Sequence, residues 1–265
     1  MEKSYKISFL VPTLGTREVE MRRLLDSLLE QTYKNIEVVF VVQGNFEQMD
    51  AICDAYNSLL KITLLKSDEK GLSKARNKGM LFCSGDIIVL SDDDCWYPGN
   101  AAEVIEKSFL EDDISVLLTK IYDLDNDKEY KDYKAEMQDI KSSFSLLSKS
   151  SIEIAFKKLG TNVQFDEQFG LGAHFICCEE VDFLINLFRK GNRIRYKPII
   201  TVYHEKKYFG STKNQVVAKG AIYAKNYNRI IGLLICLKDF VLRHELNFSP
   251  FFEGYNEYKT YKRKN

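Results

Sequence analysis

The sequence predicts an α/β fold in which a mostly parallel sheet is flanked by helices and followed by a helical C-terminal extension. Short apolar runs alternate with segments of helical period over residues 7–110, which is the pattern of strand-helix-strand units. These runs are almost continuously apolar, as expected for strands that are buried on both faces. The 265 residues, 45% of them hydrophobic, suit one large domain with an appendage.

The elements of the first half follow from these runs and from the turn residues between them. Strands are predicted where β-branched and other apolar residues stand together: 7–11, 35–42, 62–65 and 87–90. Helices are predicted where apolar residues recur at helical spacing: 18–31, 49–60, 71–82 and 101–110. Pro12 is expected to end the first strand, because proline cannot donate to the hydrogen-bond ladder of a sheet.

The second half is predicted with longer connections. A strand over 114–121 is placed near an edge or a bend of the sheet, and the charged segment 128–140 is expected to be mobile and near an acceptor site. A helix opens at Glu179 and stops at Gly191, and the last strand covers 193–203. One helix is predicted over 215–243. The basic, tyrosine-rich tail over 255–265 either rests on an anionic membrane surface or is a frayed terminus.

Composition excludes several classes of protein. Lys plus Arg and Asp plus Glu both number 38, so the net charge is zero, which argues against a nucleic-acid binder. The six cysteines include no C-x-x-C pair, which disfavours a zinc module or a disulfide scaffold and favours a reducing compartment. No apolar run reaches the ~20 residues of a membrane span, and the N-terminus lacks the apolar region of a signal peptide. We therefore expect a cytoplasmic protein.

Three adjacent carboxylates, Asp92, Asp93 and Asp94, directly follow the apolar run at 87–90. Ligands of open α/β sheets bind just beyond the carboxyl ends of the strands, so these carboxylates lie where a divalent cation and its phosphate ligand are expected. The alternative is an acidic turn that caps the next helix.

Two stretches near helix starts carry groups that suit anion binding. The loop from Thr13 to Arg17 has a glycine, hydroxyls and a cation that suit close approach to a phosphate, although it also suits a plain turn. Lys74 and Arg76 lie in the first turns of a helix, where the dipole disfavours cations unless an anion binds nearby. Otherwise they are solvated charges.

Candidates for proton transfer and metal binding come from the second half. Glu179 and Glu180 open a helix after a glycine-bearing loop, where a carboxylate is either a general base or a helix cap. His204 ends the last strand, where it is either a metal ligand or a buried, hydrogen-bonded histidine.

Taken in order, these motifs resemble family 2 glycosyltransferases of the GT-A fold, a large group of bacterial polysaccharide enzymes. The ordered motifs are Val11-Pro12-Thr13, Gln31-Thr32-Tyr33-Lys34-Asn35-Ile36-Glu37, Gly71-Leu72-Ser73 with Ala75-Arg76-Asn77, Gly85-Asp86 with Asp92-Asp93-Asp94, Glu179-Glu180-Val181-Asp182, and Gly191, Pro198 and His204. The resemblance extends from Lys6 to about His204. It implies a GT-A domain over 1–205, with a nucleotide-binding half (1–100) and an acceptor half (101–205), before a helical extension over 206–265 that carries the basic tail.

The resemblance also implies an activity: inverting transfer of a sugar, as in a hexosyltransferase, from a nucleotide-diphosphate donor, with UDP-sugars favoured. The acceptor would be a glycan or a lipid-linked oligosaccharide of a capsule or another surface polysaccharide. Mn²⁺ or Mg²⁺ would be held by Asp94, Asp92 and His204. The donor-binding residues would be Pro12, Thr13, Gln43, Lys74, Arg76, Asp92 and Asp93.

The base would be Glu180, with Glu179 as the alternative. Gln43 departs from the family pattern, which has an Asp there that binds the nucleotide base. Two other functions fit the residues: a nucleotidyltransferase, which would not need the glutamate pair, and a non-catalytic nucleotide-sugar binder, which Gln43 favours. The apolar Leu233-Leu234-Ile235 stretch and the basic tail favour peripheral contact with the inner membrane face.

Overall fold

The computed structural model describes residues 4–158, 164–206, 212–243 and 248–264. Within these ranges nine strands form one sheet. The strands are β1 Ile7–Thr13, β2 Ile36–Val42, β3 Ile62–Lys66, β4 Ile87–Leu90, β5 Val116–Asp123, β6 Lys128–Glu129, β7 Gln138–Asp139, β8 Ile154–Lys157 and β9 Ile194–Tyr203.

The strand order along the sheet is β3-β2-β1-β4-β8-β5-β9-β7, with β6 paired to β5. Neighbours from β3 to β4 are parallel, β9 is parallel to β5, and β8 runs antiparallel between β4 and β5. β1, β2 and β4 are buried along their whole length, because helices cover both faces of the parallel part. The predicted fold class is confirmed, including the helical C-terminal segment.

Eight helices lie in the described ranges. They are α1 Glu18–Leu29, α2 Phe46–Tyr56, α3 Leu72–Phe82, α4 Ala101–Glu111, α5 Glu179–Arg189, α6 Lys213–Asn226, α7 Arg229–Arg243 and α8 Ser249–Lys264. One apolar core lies between the sheet and α1, α2 and α4, and a second lies between the sheet and α3, α5 and the C-terminal helices. No helix of the described residues is long and apolar enough to cross a membrane.

Two prolines lie inside strands, contrary to the prediction that Pro12 ends β1. Pro12 pairs with Val41 of β2, but the pairing of β1 with β4 has already ended at Leu10. The missing N–H therefore interrupts no ladder on the β4 side. Pro198 lies where β9 has a register shift against β5, between the pairs Leu118–Tyr196 and Lys120–Ile200. A bulge of this kind accommodates proline in the middle of a strand.

β5 was predicted near an edge or a bend of the sheet. It lies in the interior, between β8 and β9, so the edge position is wrong, while the register shifts against β9 are consistent with a bend. The segment 128–140 begins and ends with the short strands β6 and β7, which pair with β5 and β9. It is therefore held to the sheet at both ends.

The C-terminal segment differs from the prediction in two respects. The expected helix over 215–243 is two helices, α6 and α7, separated at Tyr227 and Asn228. The tail is not a frayed terminus, because α8 continues to Lys264 and buries Tyr255 and Tyr258 in the second core. Asn265 lies outside the described residues.

α6 and α8 approach so closely that their backbones are in contact. A Cβ atom on Gly220 of α6 would overlap the carbonyl oxygen of Phe251, and one on Gly254 of α8 would overlap that of Val217. Only glycine fits at these two crossing points. The C-terminal helices are thus packed as a pair against α5 and the sheet.

Candidate active site

The candidate site lies at the carboxyl ends of β1 and β4, which are neighbours in the sheet. Because the two strands are parallel, Thr13 and the residues after Leu90 leave the sheet at the same edge. The N–H of Ser91 still donates to the carbonyl of Leu10 (3.0 Å), and the chain then turns at Asp93 and Asp94. The fold therefore places the three carboxylates beside the loop that follows β1.

Asp93 is held by that loop. The Thr13 hydroxyl donates to Asp93 Oδ2 (2.6 Å), and Arg17 Nη1 donates to Asp93 Oδ1 (3.0 Å). Thr13 Oγ1 also accepts from the N–H of Gly15 (2.9 Å), whose φ of +70° favours glycine. Burial raises the pKa of Asp93 above its ordinary value, although the Thr13 hydrogen bond and the Arg17 charge oppose this.

Asp94 and His204 meet across the edge of the sheet. His204 Nε2 lies 3.1 Å from Asp94 Oδ1, and Arg17 Nη1 donates to Asp94 Oδ2 (2.5 Å). Burial favours the neutral imidazole, but the Asp94 hydrogen bond and charge outweigh it and raise the pKa of His204. The other ring nitrogen, Nδ1, is buried and has no hydrogen-bond partner of normal geometry among the described residues.

The donor set at this point suits a divalent cation in part. Carboxylate oxygen and imidazole nitrogen are both ligands of Mn²⁺, and Mg²⁺ is commonly bound by one or two carboxylates together with substrate phosphates. Within the described residues, no group of three or more His, Cys, Asp or Glu side chains is close enough to hold a metal ion. Protein ligands alone therefore do not complete a coordination shell here.

Arg76 joins the aspartate cluster to the second half of the chain. Its side chain is fully buried, Nη2 donates to Asp92 Oδ1 (3.1 Å), and Nη1 donates to Glu179 Oε1 (2.8 Å). The guanidinium carbon of Arg76 lies 5.4 Å from the centroid of the Phe165 ring. Within the part of the chain that the structure describes, Arg76 Nε has no hydrogen-bond partner. Arg76 was predicted to contact the donor, but the structure places its guanidinium between two carboxylates.

Glu179 and Glu180 begin α5 and have different surroundings. Glu179 is buried and paired with Arg76, and the loop before it comes close: a Cβ on Gly170 would lie 3.4 Å from Glu179 Cδ. The Glu180 carboxylate forms no hydrogen bond with another side chain of the described residues. Burial and the neighbouring charge of Glu179 raise the pKa of Glu180 well above its ordinary value.

Gln43 and Lys74 contact the loop that precedes α3. The Gln43 amide donates to the carbonyls of Glu69 (2.6 Å) and Gly71 (3.1 Å), and its oxygen accepts from the N–H of Gly71 (3.3 Å). Lys74 is exposed and pairs with Glu69 (3.2 Å). The amide at position 43 therefore fastens a loop, a role that a carboxylate could not fill because it has no N–H to donate.

The structure thus connects most of the predicted residues through direct contacts. The connected residues are Thr13, Arg76, Asp92, Asp93, Asp94, Glu179 and His204, with Glu180 next to Glu179. The Gln43 and Lys74 side chains contact the 69–71 loop instead, although the main-chain N–H of Gln43 donates to the carbonyl of Thr13 (2.9 Å), and Pro12 lies within β1.

Three further residues belong to the network and were not among the predicted site residues. Arg17 bridges Asp93 and Asp94, the Ser151 hydroxyl is 3.4 Å from Asp92 Oδ2, and the Tyr130 ring meets His204 edge-on at 5.5 Å. The cation in the loop after β1 was a signal for Arg17. Nothing in the sequence pattern distinguishes Ser151 or Tyr130.

Comparison with known sequences gives partial matches to curated glycosyltransferases. The chain is 32% identical over 118 residues to glycosyltransferase GlyA of Streptococcus pneumoniae, covering 44% of this chain and 17% of GlyA. It is 26% identical over 232 residues to an uncharacterized glycosyltransferase of Haemophilus influenzae, covering 83% of this chain and 76% of that protein. The chain thus spans less than a fifth of the length of GlyA.

Comparison with solved structures shows proteins of similar fold. The structure resembles residues 1–349 of TarS from S. aureus, with a TM-score of 0.68, 19% identity and coverage of 84% of this chain and 66% of that one. A TarS structure in complex with UDP gives a TM-score of 0.66 at 20% identity, covering 92% of this chain and 71% of that one.

The sequence model that describes glycosyl transferase family 2 matches residues 8–175. That match begins in β1, includes the aspartate cluster and ends just before α5. The chain belongs to glycosyl transferase family 2.

Proposed function

We propose that the protein transfers a sugar, with inversion, from a nucleotide-diphosphate donor to a hydroxyl of a glycan or lipid-linked saccharide. This proposal rests on buried Arg76, which pairs with Asp92, just after β4, and with Glu179, at the start of α5. It thereby joins the aspartate cluster to the glutamate pair. A UDP-sugar is the donor we favour, because complexes of the similarly folded TarS contain UDP and UDP-GlcNAc.

Glu180 is the proposed base. Glu179 is neutralised by Arg76, which leaves Glu180 as the carboxylate of the pair without a side-chain partner among the described residues. Because its pKa is raised, the ionised form of Glu180 is a stronger base than an ordinary glutamate carboxylate. As the acceptor oxygen bonds to the anomeric carbon, its proton passes to Glu180 and the nucleoside diphosphate leaves from the opposite face. This single displacement inverts the anomeric configuration and needs no enzyme nucleophile.

Of the three predicted metal ligands, Asp94 and His204 are in contact and would hold Mn²⁺ or Mg²⁺ together with oxygens of the donor diphosphate, whereas Asp92 pairs with Arg76. Such an ion would neutralise the charge that develops on the leaving diphosphate. Arg17 pairs with Asp93 and Asp94 and, being always charged, can turn toward the diphosphate when the donor binds.

Thermal unfolding with UDP, GDP and TDP, each with and without Mn²⁺, tests the proposal. A ligand that binds only the folded protein stabilises it by about 2.7 kcal/mol at 100 times its Kd, so the matching nucleotide raises the Tm. We expect the rise to need Mn²⁺ and to be lost in Asp94→Ala. Asp113→Ala is the matched control, since Asp113 is exposed in the loop after α4, where it pairs with Arg193. No rise with any nucleotide contradicts the proposed donor site.

We also propose a peripheral contact with an anionic membrane surface through α7, on the cytoplasmic side. Ile230, Leu234, Leu237 and Val241 are exposed and recur at helical spacing, so they share one face of the helix, and Arg229 and Lys238 are exposed beside it. Leu234→Glu should abolish sedimentation with vesicles that contain phosphatidylglycerol, while Leu59→Glu, at an exposed leucine after α2, should leave it unchanged. Equal sedimentation of both variants contradicts the membrane contact.

A further inference from the structure

A cleft of about 610 Å³ lies on the α1 side of the sheet and includes none of the predicted site residues. One wall is the face of α1 that carries Arg22, Arg23, Asp26 and Glu30. The opposite wall is the segment from Trp96 to Gly99, with Tyr203 of β9 beside it. The family function described above assigns nothing to this cleft.

The cleft is separated from the reacting groups by a single layer of backbone. Trp96 and Tyr203 exchange two main-chain hydrogen bonds, of 3.1 and 2.7 Å. Tyr203 ends β9 and His204 follows it, and successive residues of an extended chain point to opposite sides. Tyr203 therefore faces the cleft while His204 faces Asp94. Arg23 Nη2 also donates to the main-chain oxygen of Asp94 (3.3 Å), so the cleft adjoins the site from behind.

Trp96 lines the cleft with little exposed ring surface, because its side chain is 8% exposed. The Arg23 guanidinium lies 3.5 Å from the centroid of the Trp96 ring, and the Tyr203 ring lies 5.8 Å from it. Among the described residues, Arg23 Nε has no hydrogen-bond partner, but it is buried. A ligand in the cleft would therefore meet the Tyr203 ring and the charged side chains of α1 rather than this atom.

The charges around the cleft balance. Arg22 pairs with Glu18 at 2.8 Å, and Asp26 accepts a hydrogen bond from the Tyr56 hydroxyl at 2.8 Å. Two guanidinium groups and two carboxylates therefore line the cleft, so neither an anion nor a cation is favoured throughout. A neutral polyol matches such a lining, because each hydroxyl both donates and accepts while its C–H groups can pack on the half-buried Tyr203 ring.

We propose that this cleft binds a neutral saccharide segment of the acceptor glycan, away from the hydroxyl that reacts. The identification of the ligand as part of the acceptor rests on the proposed transferase function. The binding itself does not, because it needs neither donor nor metal.

The test uses the intrinsic fluorescence of Trp96, which is the single tryptophan of the chain. The full-length protein, without nucleotide or metal, is titrated with neutral hexose and N-acetylhexosamine oligosaccharides of gluco, galacto and manno configuration. We expect a saturable change in the emission of Trp96 with at least one of them. Arg22→Ala should weaken this binding about tenfold, as expected for the loss of one or two hydrogen bonds to a ligand.

Glu18→Ala is the matched control, because it breaks the same ion pair but removes a side chain outside the cleft. It should bind the saccharide like the wild type. If no oligosaccharide changes the fluorescence, or if Arg22→Ala and Glu18→Ala titrate alike, the proposal is overturned. A stronger response to inorganic phosphate than to any neutral saccharide also overturns it. Glu180→Gln should keep the saccharide response, so failure of transfer and failure of this cleft are distinguishable.

Discussion

Residues of the same type differ here in their surroundings, as the two glutamates at the start of α5 illustrate. Glu179 and Glu180 are adjacent carboxylates, yet the Arg76 guanidinium reaches only the first. The sequence could place both at a helix start after a glycine loop, but it could not choose between them. That choice depends on a side chain 103 residues away, which no local pattern reveals.

Glu180→Gln should separate activity from stability. Loss of a general base lowers transfer roughly 10²–10⁴-fold. The folded-state pKa of Glu180 is raised, so the folded protein holds a proton that the unfolded chain releases, and stability falls as pH rises from about 4.3, the ordinary glutamate pKa. The glutamine variant lacks this fall, so its Tm should exceed that of the wild type at neutral pH and match it near pH 4. A lower Tm for Glu180→Gln at pH 7.5 would contradict the raised pKa.

Ionisation of Glu37, at the amino end of β2, should make the free energy of unfolding depend on pH in the acidic range. Burial alone would raise its pKa, but hydrogen bonds from Lys6, Ser8 and Ser84 outweigh this and lower it to about 2. The stabilisation is then complete above the unfolded pKa of about 4.3 and is lost as pH falls toward 2. Glu37→Gln should cost on the order of 3 kcal/mol at pH 7, measured by urea unfolding, and the difference should shrink below pH 4. Exposed Glu47→Gln is the control and should show neither effect.

At the scale of the elements, apolar runs predicted the positions of strands correctly, whereas proline did not predict where a strand ends. The run Ile87–Leu90 predicted β4 at the residues where it occurs. Pro12 and Pro198 lie inside strands because a neighbouring strand ends, or the register shifts, at their positions. Whether a missing N–H matters depends on what lies beside it in the sheet. A single sequence does not contain that information for β1, β5 or β9.

The close contact between α6 and α8 leads to a prediction about helix packing. Gly220→Ala and Gly254→Ala each place a methyl group on a carbonyl of the facing helix, so the helices must separate. Overpacking of this kind costs roughly 1–3 kcal/mol and should appear as a lower Tm and faster proteolysis of α8. Gly232→Ala in α7 is the matched control. Its Cβ would be 3.4 Å from the Tyr255 ring, an ordinary contact, and alanine favours a helix by about 1 kcal/mol over glycine.

For the molecule as a whole, the parallel sheet, its covering helices and the edge that carries the aspartates could all be predicted. Alternation of strand and helix determines which edge holds the loops, and that edge holds Asp92, Asp93 and Asp94. The placement of Gln43 could not be predicted, because its hydrogen bonds go to main-chain atoms of a loop whose course depends on the rest of the fold. The division into 1–205 and 206–265 remains a prediction.

Truncation after residue 205 tests how far the extension is needed. The C-terminal helices contribute Ala221, Tyr223, Phe251 and Tyr255 to the same core as α5 and the sheet. Lys225 also pairs with buried Asp182 at 2.7 Å. The fragment should therefore bind a hydrophobic dye and lose its cooperative thermal transition, whereas Lys262→Ala in the last turn of α8 should unfold like the intact chain. A fragment with the Tm of the full-length protein would show that 1–205 folds alone.

The buried guanidinium of Arg76 has a consequence for how this chain can be recombined. New acceptor preferences are sought by grafting the later part of one family member onto the earlier part of another. Arg76 pairs with Asp92, 16 residues away, and with Glu179, 103 residues away. Any junction between Asp92 and Glu179 therefore takes these two carboxylates from different parent proteins. A chimera that keeps this N-terminal half must therefore have a carboxylate at position 179 of the grafted part, or it buries the positive charge of Arg76 with only one partner. Glu179 thus restricts which relatives can be joined to this N-terminal half.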